Sequence, residues 1–361
     1  MKKILCFIDA FSLGGAERQL IGLAMFLKQK GYDVTLLAYH QENFYESLLR
    51  INNLHYEILQ TGESQWSKMK AVMRFIKQQN GFDWVIAYKN GPCMIACILK
   101  MLGLKVRVIV SERNTTQVLS KRERIKYFLY RFSDYIVPNS YSQAVFISDY
   151  VPVLKQKIVT ITNFTDTQHF VPVDKEQTPM LKIMTAGRVA KQKNILKYLE
   201  AISLIKKEGI KNIHFDWYGD VQPGEEAYGE SVLSEVKRIG LDDAISFYPA
   251  SKDIVEKYQD CDVFCLPSIY EGFPNVICEA MSCGKPIICS DVCDNPQIVE
   301  NGKNGFLFNP SNVEDIAKCI TRIYEMPQEK RNKMGAISRE IAENKFSDQA
   351  FVEKYIKLIE S

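Results

Sequence analysis

Short runs of β-branched and aromatic residues alternate with segments of helical period along the whole chain, and that alternation predicts parallel sheets joined by crossover helices. In the first half the runs fall at 4–8, 34–38, 84–87, 106–110, 135–137 and 158–161. In the second they fall at 183–186, 214–218, 245–248, 263–266, 286–289 and 306–308. Between them apolar positions recur at helical spacing, as in Leu20, Leu23, Ala24 and Leu27, a face that closes at Gly31. The stretch 166–180 breaks the pattern: it is polar, carries Pro172 and Pro179 and holds neither period, so it reads as a linker. The expected chain is therefore α/β, with one sheet domain over 1–165, a second over 181–345, and a helix within 346–361 that can pack back on the first domain. A length of 361 residues suits two domains, and two domains imply a cleft.

Composition narrows the function. A net charge of +3 is too small for a protein that coats nucleic acid, so no nucleic-acid partner is expected. The first residues carry two lysines and then only five apolar positions before Asp9, too few for a secretory or membrane segment, and read as a strand. No later run reaches the roughly 18 apolar residues of a membrane span. Ten cysteines lie mostly inside apolar segments without a C-x-x-C pair, which fits a reduced, cytoplasmic compartment. Cys261 with Cys265, or Cys289 with Cys293, would be the places to look for a metal; the histidines at 40, 55, 169 and 214 keep no ligand spacing with them.

Ligands of open parallel sheets bind beyond the carboxyl ends of the strands, so the residues following each strand carry the chemistry. After the first strand comes DAFSLGGAER, where Gly14 and Gly15 open a helix whose free N–H groups can receive phosphate, or simply make a tight turn. The second half opens with TAGRVAKQKN. There Arg188 and Lys193 supply two fixed cations for a diphosphate, or with Lys191 form a solvated basic loop. The richest segment is FCLPSIYEGFPNVICEAMSC: a strand, a loop with Glu271, Gly272 and Phe273, and a helix beginning near Pro274. Glu271 can accept from sugar hydroxyls, the N–H groups near Asn275 and Val276 can meet phosphate, and Glu279, about a turn into the helix, can hold a ribose diol. A carboxylate among Ile277, Cys278, Ala280 and Met281 is costly unless paired, so a bond to backbone or lysine is the alternative for Glu279.

These motifs together resemble the large retaining glycosyltransferase family numbered 4, along nearly the whole chain. The resemblance rests on GGAER at 14–18, on Gly187 and Arg188 followed by Lys193, on WYGD with Gly219 and Asp220, and on the two glutamates of EGFPNVICE. It implies the GT-B architecture, two Rossmann-like parallel-sheet domains facing each other across a cleft. It also implies a nucleotide-sugar donor, a UDP-sugar, bound by the second domain, with retaining hexosyl or N-acetylhexosaminyl transfer. Arg188 and Lys193 would then meet the diphosphate, Glu271 the donor sugar, Glu279 the ribose, and Gly15 would close the site. One departure stands out: where many relatives carry a histidine after a first-domain strand, SERN places Arg113. An arginine stays protonated, so Arg113 is expected to bind an anionic group rather than act as a base.

No cofactor or metal is expected. Asp260 and Asp262 form the Asp-x-Asp pattern that holds a cation in other glycosyltransferases, but they precede a strand rather than follow one. Between Ser120 and Phe132, the run SKRERIKYFLYRF sets Lys121, Arg122, Arg124, Lys126 and Arg131 among Ile125, Tyr127, Phe128, Leu129 and Tyr130. Such a helix can rest on an anionic membrane, or be an ordinary crossover helix with a solvated face. The resemblance favours a polyprenyl-diphosphate-linked saccharide or another glycan as acceptor, at the inner face of the membrane, in surface polysaccharide or glycoconjugate synthesis. A non-catalytic nucleotide-sugar-binding protein and a nucleotide-sugar epimerase of similar shape are the competing readings.

Overall fold

The computed structural model describes residues 1–113, 116, 118–174, 178–251 and 253–361. Asn114 of the SERN motif and part of the stretch read as a linker lie outside the described residues. The chain forms two compact units, Met1–Phe164 with Asp348–Ser361, and Thr165–Ser347.

The first unit runs β1 (Lys3–Phe7), α1 (Gly15–Gln29), β2 (Asp33–Ala38), α2 (Glu46–Ile51), β3 (His55–Ile58), α3 (Gln65–Gln78) and β4 (Trp84–Tyr88). It continues with α4 (Asn90–Met101), β5 (Arg107–Glu112), α5 (Lys121–Tyr130), β6 (Tyr135–Pro138) and α6 (Tyr141–Tyr150). The second unit runs β7 (Leu181–Ala186), α7 (Ile195–Lys207), β8 (Ile213–Tyr218), α8 (Glu226–Arg238), β9 (Ile245–Tyr248) and α9 (Ile254–Asp260). Then come β10 (Val263–Leu266), α10 (Asn275–Ser282), β11 (Ile287–Ser290), α11 (Asn295–Ile298), β12 (Gly305–Phe308), α12 (Val313–Tyr324) and α13 (Gln328–Phe346). The closing helix α14 (Asp348–Glu360) belongs to the first unit.

Both sheets are parallel and six-stranded, ordered β3-β2-β1-β4-β5-β6 and β12-β11-β10-β7-β8-β9. Each is a doubly wound sheet whose order reverses between its first and fourth strands, β1 with β4 and β7 with β10. That reversal opens a crevice beyond the strands' carboxyl ends. The central strands, such as β1, β4, β10 and β11, are almost wholly buried and apolar because helices cover both faces. Along β1, Ile4 and Cys6 enter one core cluster while Leu5 and Phe7 enter the other. In the second unit Val263 and Cys265 of β10 face one cluster, Phe264 and Leu266 the opposite one.

Three sequence expectations need correction. The run 158–161 is not a strand: it makes one isolated bridge, Ile136 with Ile158, through Val159 N–H to Ile136 O, and one further backbone bond, Ile161 N–H to Pro138 O, at the edge of β6. The strand β3 was missed because HYEI sits at the other edge, alternately exposed and half-buried, with no continuous apolar run to betray it. The stretch 166–180 is no free linker, since its described beginning packs in the second unit. There Phe170 is buried, and Arg339 donates to the carbonyls of Thr167 and Phe170 at 3.0 and 2.7 Å.

The helix α14 docks through buried Phe351, Val352, Tyr355 and Ile359, in the cluster that also holds Leu20, Tyr88 and Phe164. Each such side chain contributes about 1.5–3 kcal/mol. On α5, Ser120 caps the helix by accepting from the N–H of Glu123 at 3.3 Å. Its inner face buries Tyr127, Leu129, Tyr130 and also Lys126, whose ammonium pairs with Glu112 at 2.7 Å and with Glu123. Lys126 therefore does not belong to the basic outer face. That face keeps Lys121, Arg122, Arg124, Ile125, Phe128 and Arg131 exposed.

Candidate active site

The second unit gathers most of the expected residues at its switch point. Past Ala186 the chain continues the ladder of β7: Gly187 N–H donates to Tyr218 O and Val189 N–H to Asp220 O, both at 2.9 Å. Trp217 Nε1 adds a bond to Gly187 O at 2.8 Å. The peptide that carries Arg188 is thus held on both sides, while its guanidinium is exposed and has no hydrogen-bond or ion-pair partner among the described residues. Gly219, with φ of +153°, makes this approach possible, since a Cβ there would lie 2.1 Å from Gly187 O. Asp220 is exposed and accepts from Ala250 N–H at 3.2 Å, tying together the loops after β8 and β9.

Lys193 closes a short 3-10 turn, and Asn194 starts α7 from the left-handed region, its side chain anchored on Pro310 O at 2.9 Å. The loop is braced by neighbours. Lys191 N–H donates to Glu225 Oε2 at 2.6 Å, and Gln192 exchanges bonds with the loop after β10, to Tyr270 O and from Ile269 N–H, both at 2.8 Å. The result brings Lys193 Nζ to 2.6 Å from Glu271 Oε1, with the two side chains only 12% and 11% exposed. An ammonium has three donors, so two remain for an incoming anion. A positive side chain and an acceptor carboxylate thus meet where β7 and β10 adjoin, with Arg188 on the same loop.

Downstream of Glu271, Gly272 is half-buried and Phe273 is an anchor, buried and packed on Phe346 at 5.7 Å between ring centroids. Pro274 is the N-cap of α10 rather than its first turn, and no side chain caps the helix. The amide of Asn275 is not open, because it closes on Phe273 O at 3.0 Å. The N–H of Val276 has no backbone acceptor among the described residues and is the donor that this helix start offers. Glu279, the fifth residue of α10, is buried and accepts from the Tyr258 hydroxyl at 3.1 Å. Burial and the Glu279 carboxylate raise the Tyr258 hydroxyl well above its ordinary value, so it stays a donor. One partner of the carboxylate is therefore a tyrosine hydroxyl. Tyr258, in the polar helix ahead of β10, was missed; an aromatic hydroxyl among EKYQD was the only signal for it. Asp260 and Asp262 bind the start of β7, at 2.7 Å to Lys182 Nζ and 2.8 Å to Lys182 N–H, away from the strand ends that carry Lys193 and Glu271.

The first unit's switch point is built differently. Gly14 caps α1, and a Cβ on it would meet the Glu17 carboxylate at 2.3 Å, whereas the space around Gly15 is open. Glu17 is buried, accepts from Ser12 Oγ at 2.7 Å and pairs with Lys89 at 2.6 Å; Lys89 also reaches Asp9 at 2.9 Å. The opening of α1 thus already holds a compensated carboxylate beside Gly14, which leaves Gly15 as the accessible glycine.

Arg113 does not point to an anionic ligand. Its Nε donates to Ser111 Oγ at 2.7 Å and NH1 to Asn163 Oδ1 at 2.6 Å, while NH2 reaches Tyr88 OH and, at 3.0 Å, Tyr355 OH. The guanidinium also lies 4.1 Å from the Tyr88 ring centroid. Four of its five donors are spent inside the unit, so Arg113 ties β4, β5 and α14 together. Arg113→Ala is accordingly expected to lower the stability of the first unit by about 2–3 kcal/mol, the scale of hydrogen bonds to a charged group. Urea unfolding would check this; a variant as stable as the parent would mean that the cluster is not a clamp.

Comparison with known proteins bears on the family and the fold. Residues 13–169 match the family described as Glycosyltransferase Family 4, and residues 167–341 the one described as Glycosyl transferases group 1. An uncharacterized glycosyltransferase of Haemophilus influenzae is 26% identical over 91% of this chain and 92% of its own. A Campylobacter jejuni α-1,4-N-acetyl-D-galactosaminyltransferase, named for an undecaprenyl-diphosphate-linked saccharide, is 28% identical over 78% of this chain and 77% of its own. Among solved structures, Anabaena HepE in complex with UDP superposes with a TM-score of 0.85 at 18% identity, covering 100% of both chains. A glycosyltransferase of Rickettsia africae reaches a TM-score of 0.87 at 16% identity over 99% of this chain and 98% of its own. Two doubly wound sheets, a basic loop paired with a loop glutamate at the second switch point, and family matches that together span nearly the whole sequence lead to one assignment: this chain is a family-4-like glycosyltransferase of GT-B fold.

Proposed function

We propose that the protein transfers a hexosyl or N-acetylhexosaminyl group from a UDP-sugar to a polyprenyl-diphosphate-linked saccharide or related glycan, with retention of anomeric configuration and without a metal. The observation that carries this reading is the Lys193–Glu271 pair at 2.6 Å, on a loop that also carries Arg188, exposed and unpartnered among the described residues. Arg188 and Lys193 neutralise the diphosphate as the glycosidic bond breaks, work that fixed cations do without a metal ion. Glu271, held by the same contact, accepts from donor-sugar hydroxyls, and Glu279 takes the ribose diol while Tyr258 orients its carboxylate. The acceptor class is supported by the C. jejuni relatives, whose names specify diphospho-undecaprenol-linked saccharides. The UDP held by Anabaena HepE supports the nucleotide. Outer residues of α5, with Arg124, Ile125, Phe128 and Arg131 exposed, suit peripheral contact with an anionic membrane where such acceptors reside.

The test is to incubate the protein with UDP-sugars and polyprenyl-diphosphate-linked saccharides in excess EDTA. Release of UDP with a lengthened glycan of retained anomeric configuration is expected. A new UDP-sugar would instead indicate epimerisation, and UDP-sugar binding without turnover a non-catalytic binder. Transfer lost in EDTA and restored by magnesium or manganese would overturn metal independence. In the same assay Glu279→Gln should weaken donor binding by about 1.5–3 kcal/mol, the range for charged hydrogen bonds; unchanged affinity would remove its ribose role.

A further inference from the structure

The first unit contains a cavity of about 390 Å³ between three helices, lined by Trp66 and Met69 of α3, Met94 and Ile98 of α4, and Arg122 of α5. Its size falls in the range of ligand pockets, roughly 300–1,000 Å³. Its walls are mainly apolar, and they are not closed by the fold: Trp66 is 68% exposed, whereas Trp84 and Trp217 are 1% and 0% exposed. A large aromatic side chain left in water at the mouth of an apolar cavity marks a surface that something else covers. Two polar features qualify the apolar lining. Arg122 supplies a cation, and Asn90, which also lines the cavity, has its Oδ1 buried without a hydrogen-bond partner among the described residues. An amide oxygen at the cavity wall can accept from a hydroxyl that enters the cavity. Methionines, which adapt their shape, suit a flexible hydrocarbon better than a rigid ring.

The complementary molecule is an anionic amphiphile that has a hydrocarbon chain, a phosphate and hydroxyl groups. From this we infer that the cavity between α3, α4 and α5 receives the first isoprenyl units of a polyprenyl-diphosphate-linked acceptor, with Arg122 facing its phosphate. The inference rests on the acceptor class proposed above and adds the place where the lipid is held. Arg122 shares its helix with exposed Arg124, Ile125 and Phe128, so a chain leaving the cavity would continue along a basic and apolar face suited to the membrane surface. Adaptable methionines and an indole at the mouth would read the chain rather than the sugar. The cavity thus acts as a class filter for the lipid carrier.

The probe is geranylgeranyl diphosphate, titrated below its micelle concentration into the full chain. Because Trp66 is the one exposed tryptophan, saturable binding should shift the fluorescence to the blue as its indole leaves water. Trp66→Ala, on the surface and therefore safe for folding, and Met94→Glu, which puts a charge in the lining, should each weaken binding at least about tenfold by calorimetry, the loss expected when one large apolar contact goes. Inorganic diphosphate should bind far more weakly. Three results would each sink the inference: binding no tighter than inorganic diphosphate, equal binding of lysophosphatidylglycerol, or equal affinity in Trp66→Ala with an unchanged melting temperature. UDP titrated into the same samples separates the two readings. Nucleotide binding with no prenyl binding rejects this site alone, whereas prenyl binding that responds to the variants supports the site even if UDP fails to bind.

Discussion

Replacing Lys193 with methionine is expected to slow sugar transfer by about a hundred- to a thousandfold, the scale seen when one preorganised charge-stabilising donor is removed. The expectation follows from how the loop is built. Backbone and neighbouring side chains hold its shape: Lys191 N–H on Glu225, Gln192 on Tyr270, and Ile269 N–H on Gln192 O. Among the described residues the Lys193 ammonium carries none of that bracing and pairs with Glu271, so methionine keeps the stem and deletes the charge. Arginine is a poor replacement, because a Cβ on Gly187 would already lie 3.1 Å from Lys193 Cε, leaving little room for a broader head. The fall should appear in kcat more than in KM, since charge on the leaving diphosphate grows toward the transition state. Full activity in Lys193→Met, with donor binding intact, would show that the diphosphate is stabilised elsewhere.

That loop was readable in the sequence because its chemistry is local. TAGRVAKQKN places two cations directly after a strand, and the following loop and helix place their glutamates by chain spacing alone. The doubly wound architecture was legible for a related reason, since strands covered on both faces must be apolar without interruption. What escaped was set by partners far along the chain. Arg113 looked like an anion ligand because nothing near SERN shows that Tyr355, 242 residues later, returns on α14 to take one of its donors. Glu279 and Tyr258 are 21 residues apart, on either side of β10. Lys126 read as part of a basic surface because its ion-pair partner Glu112 comes from the end of β5. The polar stretch after Asn163 concealed Phe170, whose carbonyl is bound by Arg339, 169 residues away.

Gly219→Ala is expected to cost the second unit about 3 kcal/mol or more, and to weaken donor binding as well, because backbone strain and overpacking of about 1–3 kcal/mol each act together there. The backbone at Gly219 has φ of +153°, which side-chain-bearing residues rarely adopt. Space is the harsher constraint. The new Cβ would lie 2.1 Å from Gly187 O, 2.6 Å from Gly187 C and 3.2 Å from Arg188 N, and none of these backbone atoms can rotate away. Gly187 O also receives the Trp217 indole N–H at 2.8 Å, and Gly187 N–H is bonded to Tyr218 O, so relief requires breaking the ladder that aims Arg188. Gly224→Ala is the matched control: its φ is +86° and nothing lies within 4 Å, so only conformational strain of about 1 kcal/mol should appear. Calorimetric unfolding of both variants, read beside their UDP affinities, separates the effects. Equal destabilisation by the two substitutions would mean that the close approach of Gly187 to Gly219 does not hold Arg188 in place.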